Sequence, residues 1–348
     1  MGELPGGPML TGITTGTGLS AALRFSVLAL GCLAVNLGWV SGRASATQCV
    51  LKRTGSADIS IRNDRVVMVP VTVNGHRATM ELNTAVVQSS ISSRYAKTLG
   101  LSRDHHFQVD GYDSSKRWPW ATTPDSFAIG SQSIRKPTFV VFTDDGPPDE
   151  DPVPDIGQLG MDLLHIADFE LDFANNKLHF YSTDHCPGVV VYWTDHYSSA
   201  PITRGFDGDV SFPMELEGKK VLANLSTAIP ITRLGTDVTR RLYGFDETSE
   251  GVEAETDRPG HAVAYYRAMA VAGIGITVKN AKIELVPVSK DRGRDSPCEL
   301  VARAVDDVAY YQRCGPPLTV GLNVLRRLHL YFAMREHVLY FSDAAATK

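Results

Sequence analysis

The sequence predicts an all-β, two-lobed protein with short helices, built from one unit that occurs twice. Two observations support this fold class. The stretch Met80–Val87 reads MELNTAVV, and 143 positions further on (226 − 83) the stretch Ala223–Pro230 reads ANLSTAIP. Around both stretches, short runs of alternating apolar and polar residues are separated by turn residues, which is the pattern of strands and hairpins.

The repeat extends well beyond this stretch. The shift of 143 aligns, without a gap, Pro70 with Pro213, Gly75 with Gly218, Leu82 with Leu225, Thr84 with Thr227 and Leu99 with Leu242. A later shift of 161 aligns Gly160 with Gly321, Leu164 with Leu325 and Phe180 with Phe341. Because the matches follow one another in chain order, they indicate a tandem duplication.

The first unit opens with a predicted hairpin. Val66–Val73 alternates apolar and polar residues near its end, Asn74-Gly75 is a two-residue hairpin turn, and His76–Leu82 is the return strand. A short helix is expected next, because Ser92 is a good N-cap and Gly100 is a good stop.

Further elements are expected in both units. In the first they are strands at 128–134, 139–142, 169–173 and 177–181 and a short helix within 159–164. In the second they are helices at 237–242 and 299–311, an apolar strand at 268–276 and a segment at 318–328 that mirrors the Gly160 segment. The acidic stretch 244–260 is expected to form a disordered or mobile loop.

In this order of parts the chain resembles the aspartic peptidases, in particular the bacterial retropepsin-like proteins. Their unit is a hairpin, then Leu-Asp-Thr-Gly-Ala, a Ser-rich helix start, a flap hairpin, and a Leu-Gly-Met-Asp-Leu-Leu-like helix with a closing hairpin. The pattern covers about 66–181 and again 210–342. The resemblance implies a bilobal acid-protease fold of the pepsin and retropepsin type, in which each lobe supplies one catalytic aspartate to a shared cleft.

The residues at the catalytic positions differ from those of that family. Asn83 and Ser226 stand where the resemblance places the two aspartates, and Ala85 and Ala228 stand at the two glycines. Aspartic peptidases activate water with two carboxylates that share a proton, one acting as the base and the other as the acid. An amide and a hydroxyl do not titrate in that range. No residue is therefore assigned a catalytic role.

The threonines that follow those positions are retained. The resemblance implies that Thr84 and Thr227 cross-link the lobes through hydrogen bonds from hydroxyl to backbone. The sequence favours an exported, catalytically inactive protein that binds an extended peptide, a cell-wall fragment or a protein partner in its cleft. Two alternatives stay open. One is an active aspartic-type endopeptidase that recruits another carboxylate, with Asp162 and Asp110 as the nearest candidates by sequence; the other is a structural or assembly module with a self-filled cleft.

A flap is expected between the first helix and Gly160. Its stretch contains Tyr112, Trp118 and Trp120, whose aromatic faces suit contact with an extended ligand and equally suit packing on their own lobe. Packing is favoured for Tyr112, and both roles stay open for the two tryptophans.

Charge and composition limit the classes of partner that are expected. The 348-residue chain carries a formal net charge of −5 and has no basic block, so nucleic acid is not an expected partner. The acidic run 144–152 lacks the ligand spacing of a calcium loop and reads as a solvated loop, and Asp104-His105-His106 reads as a surface turn. No cofactor and no metal site is expected, and the protein is expected to be a monomer.

Residues 1–46 read as a signal peptide. An apolar run at 25–40 follows Arg24, and Ala44-Ser45-Ala46 is a small-residue cleavage site. An uncleaved anchor is the less favoured alternative, because the run is short for a full span. The mature protein is expected to be periplasmic or secreted and to have no membrane span.

Cysteine usage agrees with export. Removal of the leader, with Cys32, leaves four cysteines, and an even number in an exported chain indicates two disulfides. Of the three pairings, Cys49–Cys186 with Cys298–Cys314 is favoured, and metal binding is disfavoured because no Cys-x-x-Cys spacing occurs. The predicted division is a signal peptide (1–46), an entry segment (47–65), lobe 1 (66–186), a linker (187–205), lobe 2 (206–342) and a tail (343–348).

Overall fold

The computed structural model describes the chain from Cys49 onward. The described residues are 49–103, 105–106, 120–143, 151–204, 210–258, 261–268, 271–273, 276–286, 299–302, 309–312 and 316–346. Several expectations fall on residues outside these ranges, namely the signal peptide, Asp104, Asp110, Tyr112, Trp118, most of the acidic run 144–152, and the pair Cys298 and Cys314.

The first half of the chain is mostly strand. Its elements are β1 (Arg53–Asp58), β2 (Ser60–Arg62), β3 (Val66–Val73), β4 (His76–Leu82), β5 (Ser90–Ser92), α1 (Ser93–Thr98), β6 (His105–His106), β7 (Trp120–Thr122), β8 (Phe127–Ile129), β9 (Gln132–Ile134), β10 (Phe139–Phe142), β11 (Asp155–Leu159), α2 (Met161–Leu164), β12 (Asp168–Asp172) and β13 (Lys177–Tyr181).

The second half has the same character. Its elements are β14 (Ser198–Pro201), β15 (Thr203–Arg204), β16 (Val210–Leu216), β17 (Lys219–Leu225), β18 (Thr232–Gly235), α3 (Thr236–Val238) continued by a π-helical turn (Thr239–Tyr243), β19 (Val252–Arg258), β20 (His261–Ala268), β21 (Val271–Gly273), β22 (Ile276–Val278), β23 (Ala281–Val286), β24 (Glu299–Ala302), β25 (Ala309–Gln312), β26 (Leu318–Val320), α4 (Leu322–Leu325), β27 (Leu328–Ala333) and β28 (Val338–Asp343). The all-β fold class is confirmed.

Two large sheets pair their strands in the same order. The amino-terminal sheet runs β6-β7-β10-β5-β11-β4-β3-β8-β9, and the carboxy-terminal sheet runs β19-β20-β23-β18-β26-β17-β16-β21-β22. In each, the return strand of the hairpin pairs in parallel with a later strand, β4 with β11 and β17 with β26. Each strand of the first order has a counterpart in the second, which is the arrangement that a tandem duplication predicts.

A third sheet, named here the bridging sheet, joins the two halves. Its order is β1-β13-β12-β27-β28-β14. The closing hairpins β12–β13 and β27–β28 meet through the antiparallel pair of β12 and β27. Part of the predicted linker belongs to this sheet, because β14 pairs with β28.

The main core follows the alternation of the strands. In β4, Met80 and Leu82 are fully buried, while Glu81 between them is half-buried. In β17, Ala223 and Leu225 occupy the equivalent buried positions. Successive side chains of a strand point to opposite faces, so the apolar residues enter the core and the polar ones line the other face.

The helix signals near Ser92 are borne out. Helix α1 has Ser92 as its N-cap, whose hydroxyl accepts a hydrogen bond from the Arg94 backbone N–H at 3.3 Å. Gly100, just after the helix, adopts φ +62°, the left-handed conformation that glycine accepts at a helix end.

The prediction of a single strand at 128–134 is wrong. The segment is a hairpin, with β8 and β9 paired around Gly130, which has φ +55°. A Cβ on Gly130 would lie 2.2 Å from the carbonyl oxygen of Ser56. The glycine therefore allows both the turn and the close approach of β1.

Three expectations for the second half are also wrong. The predicted helix 299–311 contains two paired strands, β24 and β25. The acidic stretch 244–260 includes β19, which pairs with β20, so part of it is ordered strand. The predicted strand 268–276 is instead the end of β20 followed by β21 and the start of β22. In the first half, the predicted surface turn at His105-His106 is a short strand paired with β7.

The predicted pairing of Cys49 with Cys186 is confirmed. The two residues form a disulfide with their Cα atoms 5.3 Å apart, across a sequence separation of 137. The bond ties the entry to β1 to the segment that follows β13. Within the described ranges, the structure contains no helix long and apolar enough to cross a membrane.

Candidate functional site

The candidate site consists of two equivalent corners, one at the end of each central hairpin. Asn83 directly follows β4, and its backbone N–H donates to the carbonyl of Leu159 at 2.9 Å. Ser226 directly follows β17, and its backbone N–H donates to the carbonyl of Val320, also at 2.9 Å. Each corner is thus held by the parallel strand that pairs with the hairpin.

The two threonines connect the corners to each other. The hydroxyl of Thr84 donates to the carbonyl of Leu225 at 2.8 Å, and the hydroxyl of Thr227 donates to the carbonyl of Leu82. Thr227 Oγ1 also accepts from the backbone N–H of Thr84 at 3.2 Å. Both threonines are buried, so these hydrogen bonds form away from water and hold the corners in one relative position.

The side chains at the corners are polar but not acidic. Asn83 Oδ1 accepts from the Ala85 backbone N–H at 3.1 Å, and Ser226 Oγ accepts from the Ala228 backbone N–H at 3.4 Å. Within the described part of the chain, no ionisable side chain hydrogen-bonds to either of them. Ala85 and Ala228 are half-buried. The corners therefore supply acceptors and donors but no proton that titrates in the working range.

A second pair of hydrogen-bonded groups supports each corner. In the first half, Asp162 accepts from the backbone N–H and the hydroxyl of Ser89 at 3.0 and 2.6 Å, and the Gly160 N–H donates to Ser89 Oγ at 2.9 Å. Burial raises the pKa of Asp162, and the hydrogen bonds from Ser89 offset part of that rise. Its carboxylate is therefore committed to Ser89 rather than to Asn83.

The second half repeats this support with an amide. Asn323 Oδ1 accepts from the backbone N–H and the hydroxyl of Thr232, both at 2.9 Å, and the Gly321 N–H donates to Thr232 Oγ1 at 3.1 Å. Asn323 Nδ2 donates to the carbonyl of Lys282 at 2.6 Å.

Sequence reasoning missed one carboxylate near the first corner. Glu81 lies two residues before Asn83 and is half-buried. Its pKa is raised by burial and by the nearby charge of Asp155, while Gln158 Nε2 donates to Glu81 Oε1 at 3.2 Å. The two-residue period of a strand was the available signal, because it places Glu81 on the face that leads to Asn83.

The equivalent position in the second half is Asn224. Its Oδ1 is buried and has no hydrogen-bond partner among the atoms that the structure describes. The polar face beside the two corners is therefore asymmetric, with a carboxyl group in one half and an unpaired amide oxygen in the other.

Of the three flap aromatics, only Trp120 lies among the described residues. It is half-buried and packs against the main core. The Arg103 guanidinium carbon lies 5.2 Å from the centroid of the indole ring. These contacts fit the second of the two roles considered for Trp120, which is packing on its own half of the protein.

One cavity among the described residues lies away from the corners. It has a volume of about 630 Å³ and is lined by residues of β3, β8 and β9 and their turns, among them Thr72, Phe127 and Lys136. A ligand-binding cleft beside Asn83 and Ser226 stays a prediction.

Comparison with known families matches the first half of this architecture. Residues 69–163 match the family model described as aspartyl protease (Asp_protease_2). Over these residues the chain is similar to the aspartyl proteases. The matched residues include the corner at Asn83 and the Asp162 support, so the family pattern and the hydrogen-bonded corner coincide.

Part of the chain is also similar to a solved structure. A retropepsin-like aspartic protease from Rickettsia conorii is similar at 18% identity, over 38% of this chain and 96% of that chain, with a TM-score of 0.29. No curated protein matches the chain.

Proposed function

We propose that this chain is an exported aspartic-peptidase-like protein that does not hydrolyse peptides and instead binds a ligand between its two repeats. The observation that carries the proposal is the contrast at the corners. The buried threonine cross-link is present, while Asn83 and Ser226 occupy the positions that the resemblance assigns to the catalytic aspartates.

The chemistry of the corners supports inactivity. Peptide hydrolysis by this family needs one carboxylate to take a proton from water and another to give one. Losing a general acid or base typically lowers the rate by about 10² to 10⁴, and here both are replaced. Ala85 and Ala228 add a methyl group where glycine would let a backbone approach closely.

The polar face beside the corners supports ligand binding. Glu81, Gln158 and Asn224 place hydrogen-bonding groups next to Asn83 and Ser226. An extended peptide presents backbone N–H and C=O groups at regular intervals, and the half-buried side chains of Glu81 and Gln158 supply an acceptor and a donor for such groups. An extended peptide, a peptide-containing cell-wall fragment or an extended segment of a protein partner satisfies this requirement. The Cys49–Cys186 disulfide is compatible with a periplasmic or secreted location.

Restoring the two acids tests inactivity. The parent, Asn83→Asp with Ser226→Asp, and the same double variant with Ala85→Gly and Ala228→Gly are compared for cleavage of a denatured protein library at acidic pH. The parent is expected to cleave nothing, the double variant very little, and the quadruple variant measurably. Pepstatin-sensitive cleavage by the parent that Asn83→Ala abolishes would overturn the proposal.

Binding is tested separately with an array of extended peptides of random sequence. The parent is expected to retain a subset of peptides, and Glu81→Leu is expected to weaken that retention because the acceptor is lost. Arg77→Ala, at an exposed position of the same strand, is the matched control. Equal retention by all three proteins contradicts binding at the corners and leaves the test of inactivity unaffected.

A second candidate function is a working endopeptidase that uses Glu81. The observation in its favour is a half-buried carboxyl group, with a raised pKa, two residues from Asn83. This candidate predicts cleavage by the parent at acidic pH and its loss in Glu81→Gln. A third candidate, a structural or assembly module with a self-filled cleft, is favoured by the packing of Trp120 on its own half; it predicts that no peptide of the array is retained.

A further inference from the structure

The outer face of the bridging sheet carries a buried polar cluster that the proposed function does not use. Strand β12 turns Phe169 and Leu171 toward the main core, so its acidic residues lie on the opposite face. That face has its own small apolar cluster, which includes Val190 and Trp193 from the segment after Cys186. The acidic residues are covered by this segment and are shielded from water.

Three metal-ligating side chains meet on this face. Glu170, Asp172 and His329 are 0%, 7% and 5% exposed, and one ligand atom from each lies within 4.8 Å of the others. His329 Nε2 is 2.7 Å from Glu170 Oε1, and its Nδ1 is 4.0 Å from Asp172 Oδ1. The register places them together, because Asp172 of β12 lies directly opposite His329 of β27.

An unpartnered nitrogen lies beside this group. His179 lies directly opposite Glu170 across the pair of β12 and β13. It is 9% exposed, and its buried Nδ1 has no hydrogen-bond partner among the described atoms. Its nitrogens do not belong to the group of ligand atoms that all lie within 4.8 Å of one another, so His179 is a neighbour of the site and not one of its ligands.

The ligands are held in place by a second layer of hydrogen bonds. Tyr181 OH donates to Glu170 Oε2 at 2.5 Å, and Tyr192 OH donates to the two Glu170 oxygens at 2.9 and 3.0 Å. Asn175 donates to Asp172 through its backbone N–H at 3.0 Å and through Nδ2 at 2.7 Å. Partners of this kind orient ligands in metal sites.

An aromatic ring closes the site over the histidine. The indole of Trp193 stacks on His329 with the ring centroids 4.1 Å apart and the planes 6° apart. Trp193 Nε1 donates to Ser342 Oγ at 2.8 Å, which fixes the ring. Such a cover excludes water, as in sites where the metal has a structural role.

We propose that Glu170, Asp172 and His329 bind one divalent transition-metal ion. Two carboxylates and one imidazole match the oxygen and nitrogen ligands that zinc accepts, whereas calcium and magnesium take oxygen ligands. On binding, the ion takes the place of the proton between His329 and Glu170, so a proton is released. The ion links β12 of the first half to β27 of the second.

The rival account is a hydrogen-bond network that needs no ion. In that account the proton shared by His329 and Glu170, with the two tyrosines, satisfies the cluster by itself. The two accounts differ in what added zinc does to the protein stripped of metal by a chelator.

Thermal unfolding with added zinc chloride, and visible absorption with added cobalt(II), test the proposal. The melting temperature is expected to rise and saturate at one equivalent of zinc, with little response to magnesium or calcium, and cobalt(II) is expected to show d–d bands of a four-coordinate ion. Asp172→Asn and His329→Gln are each expected to weaken zinc binding by at least about tenfold.

The neighbouring pair His185 and Asp168 provides the control. His185 Nε2 lies 2.6 Å from Oδ2 of Asp168, the first residue of β12, outside the three proposed ligands, so His185→Gln is expected to keep the zinc response. No rise in melting temperature in the parent, or a zinc response that Asp172→Asn and His329→Gln leave intact, overturns the proposal. If His329→Gln does not fold, Asp172→Asn decides.

Discussion

The supports of the two corners use the same hydrogen bonds but different acceptors. In the first half, Ser89 donates its backbone N–H and hydroxyl to Asp162, and in the second half, Thr232 donates the same two groups to Asn323. In both, a glycine N–H donates to the hydroxyl. The carboxylate carries a charge that burial disfavours, whereas the amide carries none.

The difference shows that this position requires an acceptor in the right place and does not require a charge. The same logic applies at the corners themselves. Asn83 and Ser226 accept the backbone N–H of the second residue after each, at Ala85 and Ala228. The geometry of each corner is thus held by an uncharged acceptor, an amide oxygen at Asn83 and a hydroxyl at Ser226.

The largest effect is expected from the glycines that both supports share. A Cβ on Gly160 would lie 2.8 Å from the backbone carbonyl carbon of Gln88, and one on Gly321 would lie 2.7 Å from that of Ile231. Gly160→Ala and Gly321→Ala are each expected to lower the free energy of unfolding by about 3 kcal/mol, measured by urea denaturation.

Gly218→Ala is the control for those variants. Gly218 has φ +76°, but no other atom lies within 4 Å of the place that an added methyl group would take, so only backbone strain of about 1 kcal/mol is expected. An equal loss in all three variants would contradict a steric cause at Gly160 and Gly321.

The two threonines of the cross-link are expected to contribute unequally to stability. Thr227→Val removes a donor to Leu82 and an acceptor for the Thr84 N–H, whereas Thr84→Val removes only the donor to Leu225. An unpaired buried polar group costs about 1–3 kcal/mol, so Thr227→Val should destabilise about twice as much as Thr84→Val. Chemical denaturation of the two variants measures the ratio, and a larger loss for Thr84→Val would refute the asymmetry.

Replacing the amide of Asn323 by a carboxylate tests whether the second support needs the amide donor. Asn323→Asp loses the donor to the Lys282 carbonyl and adds a partly buried charge next to that oxygen. A loss of about 2 kcal/mol is expected at neutral pH, and part of it should be recovered in acid, where the new carboxyl group is protonated. A variant as stable as the parent at both pH values would show that the amide donor is unimportant.

Replacing the carboxylate of Asp162 by an amide is expected to have the smallest effect on stability and to change its pH dependence. Because the pKa of Asp162 is raised in the folded protein, the folded state holds the proton more tightly than the unfolded state. The contribution of Asp162 to stability therefore falls as pH rises from the ordinary aspartate pKa through the raised one. Asp162→Asn should remove this slope and change stability at neutral pH by less than about 1 kcal/mol.

Urea denaturation of parent and Asp162→Asn across the acidic range checks this prediction. Other carboxyl groups titrate in both proteins, so the difference between the two curves isolates Asp162. A difference curve that rises with pH in favour of the parent would contradict the raised pKa.

Much of the fold was predictable because its signals are local. Asn74-Gly75 specifies the first hairpin, Ser92 and Gly100 delimit α1, and the repeated spacing reveals the duplication. The strands β24 and β25 were not predictable from their local sequence. Ala309 of β25 pairs with Val221 of the central hairpin, and such distant pairing overrides the local propensity that suggested a helix.

The candidate site divides in the same way. The positions of Asn83, Thr84, Ser226 and Thr227 follow from the repeat, and the cross-link between the two threonines is what the resemblance to the aspartic peptidases implies. Glu81 was overlooked because its burial depends on Gln158 and Asp155, which lie more than seventy positions away. The cluster around Glu170 had no sequence motif, because His329 enters it from the other half of the chain.

The amino-acid sequence by itself determined the repeated β-unit, its turns and the absence of aspartate at both corners, since these are properties of neighbouring residues and their spacing. Only the tertiary structure decided which groups meet across the repeats: the threonine hydroxyls with the opposite backbone, and Glu170 with His329. The physical reason is that hydrogen bonds and burial depend on distances in space, and pairing between β12 and β27 brings together residues about 160 positions apart.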